Sequence, residues 1–246
     1  MEDNKKKEEE IPNRTDVLKS NYESKLGTQQ HWNEAYQQEI EQFKNNGNEL
    51  GDIWFGKELQ KKLVNYIIKN FPDKNTKIFD VGFGNGVFLY KLSKNGYNNL
   101  YGIDYSPDSI KFAKMIVESK EKKYNKKFKI NFFCEDINTK NKIINETFDV
   151  IHDKGSFDAY MMKKKNTLEN YYNYIKSYSK NGTTFIITSG NNTREELKNK
   201  FPLNKGFQYI EEIKNKTFVF GGQEGQQQAT QIYKINIKFF IIFFFF

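Results

Sequence analysis

Apolar positions recur along this chain in two rhythms, one of three and four residues and one of two. In LGTQQHWNEAYQQEIEQF, Trp32, Tyr36, Ile40 and Phe43 stand three and four apart, which predicts a helix with one apolar stripe. Thr28 is placed to cap it. NNGNELGD reads as a loop. A second helix follows Gly56, with Leu59, Leu63, Val64, Ile67 and Ile68 on one face, and Pro72 ends it. The rhythm then alternates between strand-like and helix-like runs. KIFDV, NLYGID, FKINFFC, FDVIHD and TTFIITS read as five strands. GVFLYKLSKNG, SPDSIKFAKMIVESK, a tyrosine-rich run from about Thr167 and a run from about Thr193 read as helices. Ser106 caps the second of these, with Pro107 at its first position. Two further strand-like runs close the chain, near residues 207–213 and 230–237. Strands alternating with helices imply βαβ units and a mostly parallel sheet. The two closing runs imply an antiparallel hairpin at its edge. The fold class expected is therefore α/β, preceded by N-terminal helices.

This pattern divides the chain into residues 1–20, expected to be a disordered tail; 21–72, a helical cap over substrate and cofactor; 73–238, the α/β domain; and 239–246, an apolar tail. Residues 1–10 are charged throughout, so no signal peptide is expected. FFIIFFFF at the end is far shorter than the roughly 20 residues that span a bilayer, and no membrane association is expected. The formal net charge is +8. That balance suits an anionic partner such as RNA, or solubility combined with lysine bias. The densest basic run in the core is Lys163, Lys164 and Lys165. One cysteine, Cys134, permits no internal disulfide and fits a reducing compartment. With two histidines, His31 and His152, no metal site is expected.

The most informative stretch is FDVGFGNG, residues 79–86, which follows a strand and opens a helix. Gly82, Gly84 and Gly86 let the chain turn tightly and let a ligand approach bare backbone. Dinucleotide sites want G-x-G-x-x-G, but Val87 stands where the third glycine of that pattern belongs. Asp80, two residues before the first glycine, would repel a diphosphate and attract an α-ammonium. S-adenosylmethionine (SAM) carries that ammonium and no phosphate. Asp104 closes the second strand, where an acid accepts hydrogen bonds from both ribose hydroxyls, and Tyr105 follows it. Asp136, after the third strand, is placed to take the adenine amino group, with Ile137 against the ring. Three acids at three consecutive strand ends then meet amine, ribose and adenine in order.

This pattern resembles the Rossmann-like, seven-stranded SAM-dependent methyltransferases over residues 77–238. At the fourth strand end, HDKGSFDAY lacks the two prolines usual in nucleic-acid amino-methyltransferases of this fold. Together with LGTQQHWNEAY, GDIWFG, GIDYSP and TFVFGG, it resembles the lysine methyltransferases of translation elongation factor 1-alpha. That family is called methyltransferase-like protein 10 in animals and elongation factor methyltransferase 4 in yeast. The resemblance implies a cytoplasmic protein-lysine N-methyltransferase that uses SAM and acts on the elongation factor; nothing in the sequence demands more than a monomer, and no nucleic acid is required. The alternatives are a methyltransferase of RNA or a small molecule on the same fold, or a nonenzymatic SAM-fold binding protein. Trp54, Phe55 and Phe157, with Tyr105, are candidate walls for the acceptor lysine. Asp153 and Asp158 are candidates to orient its ammonium or relay its proton, and His152 is either a base or a hydrogen-bonded strand residue. The family usually has ITSCNWT where this chain has ITSGNNT, which removes bulk near the acceptor side.

Overall fold

The computed structural model describes residues 24–46, 50–139, 142–215, 217–220, 223–226 and 228–237; side chains within 217–226 are not described. Both predicted tails, 1–20 and 239–246, lie outside the described residues. After a short 3-10 turn at Lys25–Gly27, helix α1 (Gln29–Asn46) and helix α2 (Gly56–Asn70) precede the sheet. Thr28 caps α1 as expected, its hydroxyl accepting from His31 N at 3.3 Å. Then follow β1 (Ile78–Val81), α3 (Val87–Lys94), β2 (Leu100–Asp104), α4 (Pro107–Tyr124), β3 (Ile130–Cys134) and β4 (Phe148–Lys154). The rest of the domain is α5 (Ser156–Met161), α6 (Leu168–Ser177), β5 (Ser179–Ser189), α7 (Arg194–Lys200), β6 (Phe207–Glu212), β7 (Thr217–Phe220), β8 (Gln223–Gln226) and β9 (Ala229–Ile235).

Seven strands form one sheet in the order β3-β2-β1-β4-β5-β9-β6. The first five are parallel, and β9 and β6 join antiparallel. This is the expected fold class. It differs from the expectation in one respect: β6 and β9 are joined through a separate two-stranded unit, β7 with β8, rather than directly. Period-two alternation sends successive side chains to opposite faces. Phe79, Val81, Ile151, Phe185 and Ile187 face one core with Tyr171, Tyr178 and Phe201. Ile78, Val150 and Ile186 face another with Leu63 and Ile67 of α2 and Phe88 of α3. A third, smaller cluster locks Ile40 of α1 onto Phe112 and Ile116 of α4.

Local chemistry sets the helix starts. Ser106 Oγ accepts from Ser109 N ahead of α4, and Thr167 accepts from Asn170 N ahead of α6. Thr193 and Glu196 form a reciprocal capping box at α7. The chain runs outward from β1 to β2 and β3, then crosses back to place β4 on the other side of β1. Ligands of open α/β sheets bind at such a reversal, beyond the strands' carboxyl ends.

Candidate active site

A cleft of about 260 Å³ opens at that reversal. Gly82, Phe83, Gly84 and Asn85 line it after β1, Asp104 and Tyr105 at the end of β2, Glu135, Asp136 and Ile137 after β3, and Lys154, Gly155 and Ser156 at the end of β4. Gly82 and Gly84 hold φ of +66° and +60°, a conformation that a Cβ disfavours. A Cβ on Gly82 would run into the Ser156 hydroxyl, and one on Gly84 would stand 2.8 Å from the Tyr36 hydroxyl. The turn therefore offers bare backbone to the cleft. Asp104 ties it to β2: Gly84 N–H donates to Oδ2 at 3.0 Å and Ser106 N–H to Oδ1 at 2.9 Å. Burial nevertheless raises the Asp104 carboxyl to about 6, outweighing the hydrogen bonds that pull it down.

Helix α1 covers the cleft. It is fastened to the loop after β2 by the Gln29 side chain donating to Tyr105 O and by Ser106 Oγ donating to Asn33 Oδ1 at 2.6 Å, and to the first turn of α4 by Gln37 donating to Asp108 at 3.0 Å. Trp32 and Tyr36 stack at 6.2 Å between ring centroids, and Trp32 meets Trp54 edge-on at 5.6 Å. All three line the cleft, together with Glu39 and Asp52. At the other end Glu135 accepts from the hydroxyls of Tyr174 and Tyr178, at 2.6 and 2.8 Å. That anchors the loop carrying Asp136 and Ile137. Lys163 lies over the Tyr105 ring at 5.0 Å.

Of the residues singled out from sequence, Gly82, Gly84, Asp104, Tyr105, Asp136, Ile137 and Trp54 come together in this cleft. Others are placed differently. Gly86 does not line the cleft; it is the N-cap of α3, packed against Ala113 and Phe132. Asp80 lies beneath the turn, its Oδ1 2.7 Å from His152 Nδ1. It lines a small recess behind the cleft. Phe157 is fully buried between Tyr171 and Phe201, so it is a core residue and not an acceptor wall. The Phe55 ring packs beside Gly190 and tilts against Trp54. It supports the wall rather than facing the cleft, and it fills the space beside Gly190 that the sequence comparison left open.

Asp153 also needs correction. It is fully buried and accepts from Tyr171 Oη at 2.7 Å, Ser156 N at 2.9 Å and Phe157 N at 3.1 Å. Its carboxyl, pushed up to about 7 by burial, caps α5 and does not reach the cleft. Asp158 likewise binds Ser189 Oγ at 2.5 Å and Gly190 N at 2.7 Å. His152 is fully buried and stacked on Phe88 at 4.0 Å, a strand residue held in place and no base at the cleft. Sequence reasoning missed Lys154 and Ser156 at the cleft, although both stand in the HDKGS run it had marked. It read Trp32 and Tyr36 only as members of a helix stripe within the cap and did not single them out for the site; their aromatic character beside GDIWFG was the available signal.

The residues present fit the expected cofactor. Bare backbone at the glycine turn, a carboxylate after β2 and an apolar residue with a carboxylate after β3 suit a nucleoside carrying an uncharged sugar and an amino-acid arm. Among the described residues no group of acidic, histidine or cysteine side chains could hold a metal ion.

Comparison with known proteins agrees with this arrangement. A family model described as a methyltransferase domain matches residues 72–236. The chain is 38% identical over 214 residues to human EEF1A lysine methyltransferase 2, covering 86% of this chain and 87% of that protein. It is 30% identical over 215 residues to the protein-lysine N-methyltransferase EFM4 of Saccharomyces cerevisiae, covering 82% and 91%. Among solved structures, a TehB-like SAM-dependent methyltransferase from Corynebacterium glutamicum superposes with a TM-score of 0.56 at 18% identity, over 83% of this chain and 98% of that one. Magnesium protoporphyrin IX methyltransferase from Synechocystis gives 0.54 at 11% identity, over 73% and 79%. These two likenesses speak to the fold. With its glycine turn, its cleft at the strand reversal and this breadth of similarity, the chain belongs to the methyltransferase-domain family that includes these protein-lysine methyltransferases.

Proposed function

We propose that this protein is a SAM-dependent protein-lysine N-methyltransferase acting on a lysine of translation elongation factor 1-alpha. The observation that carries the reading is its similarity, along most of both chains, to relatives named for that reaction. When bound, SAM supplies an electrophilic methyl group on a sulfonium. On this reading Asp104 accepts from the ribose hydroxyls, Asp136 and Ile137 hold the adenine, and the backbone of Gly82 and Gly84 faces the amino-acid arm.

The acceptor amine must be neutral to attack, and a free lysine has a pKa near about 10.4. Trp32, Tyr36 and Trp54 desolvate the end of the cleft under α1, which lowers that pKa. Their faces also tolerate the cation that arrives and the cation that forms. Glu39 and Asp52 draw a protonated side chain toward the same end, although their charge favours the protonated form, so the amine releases its proton to solvent as it enters between the rings. His152, Asp153 and Asp158 are engaged elsewhere, so the acceleration comes from holding donor and acceptor in line. We place the protein in the cytoplasm as a monomer; its single cysteine fits a reducing compartment. No helix among the described residues is long and apolar enough to cross a membrane.

The test is transfer of labelled methyl from SAM to purified elongation factor 1-alpha, total RNA and a whole-cell protein extract. Label is expected on a lysine of the elongation factor, and Asp80→Ala should lose it. Label on RNA alone would overturn the acceptor. SAM binding with no label anywhere would leave a nonenzymatic binding protein.

A further inference from the structure

Lys154 ends β4 and lines both the cleft and the recess behind the glycine turn. That recess, about 20 Å³, is lined as well by Asp80 and Gln60, and it shares Gly82, Phe83 and Asn85 with the cleft. Lys154 Nζ donates to Trp54 O at 2.9 Å. It makes no ion pair among the described residues. Of the three acids near it, Asp80 is engaged with His152 and Asp153 with Tyr171, and Asp52 lines the cleft without pairing with it. Burial lowers the Lys154 amine to about 8, the three acids Asp80, Asp153 and Asp52 opposing that fall.

Gln60 is 1% exposed, and among the described residues neither of its amide atoms has a hydrogen-bond partner. A half-buried cation without an ion pair and a buried amide without partners both cost free energy. Both therefore call for a polar ligand group at this spot. An ammonium has three donors, and Trp54 O takes one. The other lysine of the cleft, Lys163, is at the opposite end, over Tyr105.

We propose that Lys154, with the Gln60 amide beside it, seats the α-carboxylate of SAM while Asp80 faces the α-ammonium. This rests on the cofactor reading above and extends it. The recess then complements both charges of the amino-acid arm, and the protein selects against ligands that lack the carboxylate. A charge-assisted hydrogen bond from Lys154 carries that selection.

The experiment is calorimetric titration of the full chain and its Lys154→Met, Lys154→Arg and Gln60→Leu variants. The two ligands are SAM and decarboxylated SAM, which keeps the amine and loses the carboxylate. The unaltered protein is expected to prefer SAM by at least about tenfold. In Lys154→Met that preference should collapse to within about threefold, because SAM weakens and decarboxylated SAM does not. Lys154→Arg should retain most of it. Gln60→Leu should narrow it without touching the Trp54 contact. Equal weakening of both ligands in Lys154→Met would assign the lysine to supporting the Trp54 corner and overturn the seat. An undiminished preference in Lys154→Met and Gln60→Leu would also overturn it. A protein that shows the preference yet methylates no elongation factor would sink the acceptor reading and leave the seat standing.

Discussion

Asp104 concentrates the logic of this site in one side chain. Each of its oxygens accepts one backbone amide, from Gly84 and from Ser106. The same carboxylate thus shapes the turn and presents its remaining lone pairs to the cleft. A carboxylate has about four acceptor positions, so two are left for the ribose hydroxyls. Asp104→Ala is expected to weaken SAM by at least about 1 kcal/mol, as acceptors are stripped from two donors. Calorimetry reads this directly, and unchanged affinity would show that the ribose sits elsewhere.

At the scale of elements, the corner between α1 and α2 depends on the end of β5. Phe55 starts α2 with φ +62° and no side-chain cap, a left-handed conformation that bulky residues seldom adopt. It persists because packing holds it: its ring lies against Trp54 at 5.7 Å and beside Gly190. A Cβ on Gly190 would stand 2.9 Å from Phe55 Cε1. Gly190→Cys is therefore expected to destabilise the fold by about 1–3 kcal/mol through overpacking. Adding Phe55→Leu should recover part of that loss. Urea denaturation of the single and double variants measures the coupling; strictly additive effects would mean that the two residues do not compete for space.

The whole molecule carries buried carboxyls whose titration bears on stability. Burial holds the Asp153 carboxyl near about 7 and that of Asp104 near about 6, whereas an unfolded aspartate titrates near about 3.9. Between those limits the folded chain binds more protons than the unfolded one. The contribution of these groups to stability is therefore complete below about pH 3.9 and is lost as pH rises through about 6 to 7. Asp153→Asn should preserve the bonding, since its carbonyl can accept from Ser156 and Phe157 and its amide can donate to Tyr171. It should also remove the largest part of this pH dependence. Melting temperatures at about pH 5 and about pH 8 test this: the variant should gain relative to the unaltered protein at the higher pH. An identical difference between the two pH values in both proteins would count against a protonated Asp153.

The elements and the glycine turn were legible in the chain because their causes are local. Ser106 with Pro107, Thr167, and Thr193 with Glu196 cap helices through neighbours a few residues away, and Gly82 and Gly84 take backbone angles that depend on the residue itself. Alternation in KIFDV and FDVIHD likewise reports a sheet with two covered faces. Which side chain meets the cleft is not local. Asp80 pairs with His152, and Asp153 turns the other way toward Tyr171, because strand register and pleat set their faces. Phe157 and Phe55 look alike in sequence as aromatic walls, yet one enters the core and the other braces Gly190. The six-residue α5 is too short to show a helical period, and the Gly-Gly pair in TFVFGGQEGQ, a hairpin signal, went unread between the two closing runs. Lys154, Gln60, Trp32 and Tyr36 come from three separate segments, and long-range packing alone makes them neighbours. Short-range sterics and capping can be read one residue at a time; burial and partnership depend on what the rest of the chain brings alongside.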